Sequence, residues 1–144
     1  MFKFTFICGC FLSTALWAGD APVAYVKNVM GDASVTTGGK MVKAEVGTAV
    51  SQGSVLRTGA KSSMGLTFKD ETIMSFGPDT QLTVDEYLYA PAQGKLSLVG
   101  VLAKGTMNYV SGIIAKLQPD AVAINTPAGI IGVRGTQFVV KVEE

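Results

Sequence analysis

Past Pro22 the chain is a series of short stretches in which apolar and polar residues alternate, each closed by glycine or proline. Such alternation puts successive side chains on opposite faces and marks a half-buried strand. Ser63-Met64-Gly65-Leu66-Thr67-Phe68 reads this way, Thr72-Ile73-Met74-Ser75-Phe76 follows it, and Lys69-Asp70-Glu71 is the turn between them. That spacing predicts an antiparallel two-strand unit. Gly77-Pro78-Asp79 then breaks the chain, because Pro78 cannot donate to a ladder, and Thr80-Gln81-Leu82-Thr83-Val84 resumes the pattern. Further strands are predicted over residues 24–30, 33–36, 96–102, 106–110, 121–125 and 137–142. In the last of these Phe138, Val140 and Val142 share one face, while Val139 and Lys141 take the more exposed one. Only residues 85–90 and 112–118 could make short helical turns, and Pro91 and Pro119 limit both. No segment keeps a 3.6-residue apolar period long enough for a core helix. The fold class is therefore all-β, either a compact β-solenoid-like form or a curled two-sheet stack of short strands, with a β-sandwich as the alternative. Val55-Leu56-Arg57-Thr58-Gly59 echoes Gly132-Val133-Arg134-Gly135-Thr136. That echo suits a winding whose rungs turn corners at glycines.

The first 18 residues, MFKFTFICGCFLSTALWA, stand apart from this pattern. Lys3 precedes an apolar run from Phe4 to Ala18, and a small residue then gives way to Gly19-Asp20, which is the layout of a secretory signal peptide. The run falls short of the roughly 20 apolar residues that a spanning helix needs. Cleavage after Ala18 is expected, leaving residues 19–144 as one β domain with no stable membrane span; retention of the leader as an anchor is the alternative. Clipping removes Lys3, Cys8, Cys10 and Trp17. The remainder then has no thiol, and its basic residues equal its 11 Asp plus Glu in number. No disulfide framework, thiolate metal site or redox chemistry is expected of it. A neutral chain also lacks the basic face of a nucleic-acid binder, so no nucleic-acid partner is expected. The 144 residues contain no His, which excludes Ser/His/Asp and Cys/His catalysis and His-bound zinc.

Few side chains invite a functional reading. Arg134 and Arg57 could each present a guanidinium fork to a carboxylate or phosphate. The structural reading takes precedence: an Arg at a strand corner, capping carbonyls or, for Arg134, pairing with an acid such as Asp70. Tyr87 and Tyr89 would share one face of a strand and could stack on a sugar or anchor a partner, against a plainer role at the edge of the core. Asp70-Glu71 and Asp85-Glu86 are adjacent acid pairs, read as solvated turn charges rather than as a general acid and base or a calcium loop. There is no nucleophile elbow and no phosphate-cradling loop followed by a helix. No enzyme activity and no cofactor are expected.

Several segments, in order, resemble the FecR domain family. They are Gly31-Asp32-Ala33, the stretch Gly53-Ser54-Val55-Leu56-Arg57-Thr58-Gly59, the unit Gly65-Leu66-Thr67-Phe68-Lys69-Asp70-Glu71-Thr72-Ile73-Met74, and Pro78-Asp79-Thr80-Gln81-Leu82. Asn125-Thr126-Pro127-Ala128-Gly129 and Ile131-Gly132-Val133-Arg134-Gly135-Thr136-Gln137-Phe138 complete the series. The resemblance implies structural roles for Gly53, Thr58, Gly59, Asp70, Pro127, Gly132, Gly135, Thr136 and Phe138. Where the family's acidic turn usually has Asp-Gly, this chain has Asp70-Glu71, so a differently built turn is expected. The family's best-known members are transmembrane regulators that relay a signal from an outer-membrane receptor to a cytoplasmic sigma factor. Only three residues precede the apolar run here, so sigma regulation is not expected to carry over. The resemblance instead implies a free-standing, exported module of the bacterial envelope, periplasmic or secreted, that signals by contact with a protein partner. A small-ligand or glycan-binding module is the alternative.

Overall fold

The computed structural model describes residues 21–133 and 135–142. The leader and Arg134 lie outside the described residues. The chain folds as a curled, open, largely antiparallel half-barrel. Its strands are β1 (Ala24–Met30), β2 (Ala33–Thr37), β3 (Lys40–Lys43), β4 (Ala49–Val50), β5 (Val55–Thr58), β6 (Ser63–Phe68) and β7 (Ile73–Phe76). They continue with β8 (Gln81–Ala90), β9 (Lys95–Val110), β10 (Val122–Thr126), β11 (Gly129–Gly132) and β12 (Gln137–Val142). One short helix, α1 (Ile113–Leu117), follows β9.

The strands run in the order β3-β2-β5-β8-β9-β7-β6-β1-β4. The long strand β9 belongs to both halves of the curl. Its residues Leu98 to Val101 lie between β8 and β10, and its residues Met107 to Val110 lie between β7 and β12. β10 runs parallel to β9, while every other described pairing is antiparallel. The curled form of the all-β expectation is thus the one observed. The two echoing segments do not stack as rungs: β5 pairs with β2 and β8, whereas Gly132 closes β11, which pairs with β10.

Alternation fills the concave side. Val35, Leu56, Leu82, Leu98 and Ile124 point inward from one half, and Val26, Met64, Leu66, Met74 and Met107 from the other, all essentially inaccessible to solvent. Each side chain of this size contributes about 1.5–3 kcal/mol by leaving water. Phe138, Val140 and Val142 face inward, and Val139 and Lys141 outward, as the pattern of residues 137–142 predicts.

Two expectations need correction. Residues 85–90 are not a helical turn but the second half of β8, where Glu86 to Ala90 pair with Val99 to Lys95 and the ladder slips once between Val84 and Glu86. Long-range pairing here overrides local sequence preference. The predicted strands at 96–102 and 106–110 are one strand that passes through Gly105 at φ +97°. In the Asp70-Glu71 turn Glu71 holds φ +72°, the left-handed conformation that favours glycine. That conformation costs a side-chain-bearing residue on the order of 1 kcal/mol.

Candidate functional site

Asp70, expected from the sequence to be a solvated turn charge, is instead the centre of a buried hydrogen-bond cluster. It is fully buried. Its Oδ1 accepts the Tyr87 hydroxyl at 2.9 Å, and its Oδ2 accepts the Thr72 hydroxyl at 2.7 Å and the Ile114 N–H at 3.1 Å. The Asp70 N–H donates back to the Tyr87 oxygen at 3.0 Å, and the Asp70 carbonyl accepts the Ile113 N–H at 2.7 Å. One carboxylate therefore ties the β6–β7 turn to β8 and to the start of α1. A buried carboxylate is tolerable only when donors surround it in this way. Through these bonds Asp70 joins three segments of the chain.

Tyr87 is 6% exposed, and its ring stacks on Phe68 with centroids 5.3 Å apart. Tyr89 lies on the same face, half-buried against the core. The two form part of the core edge, not an open stacking platform. Burial, reinforced by the Asp70 charge, pushes the Tyr87 phenol well above its ordinary value of 10.0. Burial likewise raises the phenol of Tyr109, whose hydroxyl is enclosed without a hydrogen-bond partner of good geometry, although the nearby Ser111 and Thr72 hydroxyls offset part of the rise. A raised folded-state value means that the stabilisation is intact below pH 10.0 and lost as pH climbs beyond it. In an alkaline titration, part of the phenolate absorbance should therefore appear only together with loss of the sheet circular dichroism. In Tyr87→Phe that late fraction should shrink. Complete ionisation of all four tyrosines with the sheet signal unchanged would contradict the assignment.

Arg57 is exposed on β5, between Ser34 of β2 and Gln81 of β8. Its Nε donates to Gln81 Oε1 at 3.2 Å. Asp85 and Glu86 are exposed, as read from the sequence. The family-motif residues sit at joints. The Gly53 N–H donates to the Val84 carbonyl at 2.6 Å, and the Gly59 N–H to that of Asp32 at 2.8 Å. The buried Thr58 hydroxyl donates to the Gly77 carbonyl and accepts the Thr80 N–H. Pro127 lies in the turn between β10 and β11, and Gly132 ends β11. Ser111 binds the carbonyls of Gly135 and Thr136 through its hydroxyl and N–H respectively. Phe138 stacks on Tyr109 at 4.8 Å.

The surface feature that sequence reasoning missed lies between β11 and β12. Each pairs on one side only among the described residues, β11 with β10 and β12 with β9. A groove of about 410 Å³ runs between them, lined by Ile131, Gly132, Phe138, Val139, Val140 and Lys141. Ile130 and Val139 stand 75% and 64% exposed beside it. The Ser111 N–H to Thr136 carbonyl bond sets the phase of the β12–β9 ladder. Antiparallel alternation then turns the N–H and C=O groups of Gln137, Val139 and Lys141 away from β9, toward the open side. The one available signal was the uncharged Gly129-Ile130-Ile131-Gly132 stretch, too short to show alternation.

The family model for the FecR protein matches residues 54–144. The chain belongs to the FecR family. No curated protein and no solved structure matches it. A FecR domain is a signalling and regulatory module of the cell envelope that works with partners, and the family is not known for enzyme activity. The matched segment begins within a turn, before β5, yet β1 to β4 are built into the same sheet: β2 pairs with β5 and β1 with β6. Among the described residues of this FecR chain, no helix is long and apolar enough to cross a membrane, and no group of three or more carboxylates, thiols or imidazoles could hold a metal ion.

Proposed function

We propose that this FecR chain is an exported envelope signalling module, residues 19–144 after loss of its leader, that acts by protein–protein contact rather than by catalysis. The contact lies along the open side of β12 and the groove beside it. A sheet edge with outward N–H and C=O groups can accept an added strand, the backbone supplying affinity and alternate side-chain pockets supplying specificity. The observation that carries this reading is the six-residue strand β12, whose strand pairing among the described residues is with β9 alone and which is flanked by an apolar groove. The competing edges suit the role less well. β4 has two residues, and β3 carries Lys40 and Lys43 on four exposed positions, a composition that discourages strand addition.

A photo-reactive amino acid at Val139 tests this in the native envelope. A discrete protein adduct is expected from Val139. None is expected from Val46, which is even more exposed and lies in the loop between β3 and β4. Equal labelling from both positions, or none from Val139, would overturn the reading.

A further inference from the structure

The convex face of the half-sheet that runs from β3 to β10 carries a charge pattern that matches itself. Cross-strand register sorts its outward residues into rows. One row holds Lys43, Arg57 and Gln81, linked through Ser34. The next holds Thr36, Val55, Thr83 and Val101, all half-buried and uncharged. The third holds Glu86 opposite Val99. Successive rows are two residues apart along a strand, or three where the ladder slips, so the cationic and acidic rows stand about 13 Å apart with an uncharged band between them.

We propose that this face binds a second copy of the chain, sheet against sheet, about a two-fold axis that runs along the Val55–Thr83–Val101 row. Such an axis lays the uncharged band on itself and brings the cationic row of each copy over the acidic row of the other. The arrangement is isologous and closed. It keeps the strand directions of the two sheets aligned, the usual mode of sheet stacking. Arg57 is already placed for the contact. Its bond to Gln81 draws the guanidinium from β5 toward β8, the strand that carries Glu86. Across the axis, Arg57 meets Glu86 of the second copy, and the pair occurs twice. Its neighbours across the strands, Ser34 and Gln81, are uncharged and offer no competing carboxylate. The face is distinct from the open side of β12, so the two contacts can be made at once.

Sedimentation equilibrium of the purified chain at low salt tests the proposal. A dimer is expected, weakening as salt screens the paired charges. Arg57→Glu and Glu86→Arg should each raise the dissociation constant at least about tenfold by setting like charges against each other. The double variant restores opposite charges across the axis and should recover the dimer. Lys116→Glu, a reversal on α1, should leave it unchanged. Both substituted residues are exposed, and circular dichroism checks that each variant keeps its sheet. A native chain that stays monomeric would overturn the proposal, as would a dimer indifferent to either single reversal or a double variant that fails to recover. A dimer formed through the β12 edge would give the second of these results.

Discussion

Asp70→Ala should lower the unfolding free energy by about 3–4 kcal/mol, read from urea denaturation at constant slope. The reason is what the substitution leaves behind rather than what it removes. The hydroxyls of Tyr87 and Thr72 and the N–H of Ile114 all donate to this carboxylate from inside the protein. Without it they remain desolvated and unpaired. Asp70→Asn keeps the shape and one acceptor oxygen but turns an NH₂ group toward donors, so it should recover only part of the loss. A cost below about 1 kcal/mol for the alanine variant would mean that the buried cluster is re-solvated when the carboxylate goes.

Gly105→Ala is expected to be similarly damaging, above about 3 kcal/mol, because two penalties coincide. The residue holds φ +97°, which any side chain resists, and an added Cβ would run into the Thr80 side chain and Cα. Thr80 cannot step aside. It is buried, its hydroxyl donates to the Gly77 carbonyl at 2.9 Å, and it accepts the Thr106 N–H at 3.1 Å. Gly94 is the control: it has φ +66° but open space around its missing Cβ. Gly94→Ala should therefore cost only the backbone part, on the order of 1 kcal/mol. Equal melting temperatures for the two variants would show that the Thr80 contact yields.

These two sites mark where local pattern stops being informative. β1 and β12 occupy residues 24–30 and 137–142, as alternation predicts, because each has one face on the core and one outside. The β6–β7 unit was legible for the same reason. Gly105 reads locally as a break, yet β9 continues through it because Thr80 supplies the hydrogen bonds that a bent strand needs. β3 and β11 are too short to show a period. β3 forms because Gly38 and Gly39, both at positive φ, close a two-residue hairpin onto β2, and β11 because it folds back on β10. The partners of Asp70 lie 17 and 44 residues away at Tyr87 and Ile114. No inspection of Lys69-Asp70-Glu71 could distinguish a buried carboxylate from a wet one. The groove beside β12 depends on where two hairpins end in space, which is likewise invisible along the chain.

The position of β9 as the strand common to both halves has a consequence for how the chain is made. β9 precedes β12 along the chain, so the flank of Gly105 to Val110 that β12 will occupy stays bare until β12 has been delivered. During that interval the half-built domain offers a ribbon of unsatisfied amides to any extended polypeptide nearby. Pairing of Gln137 to Val142 covers that flank and passes the edge outward to β12.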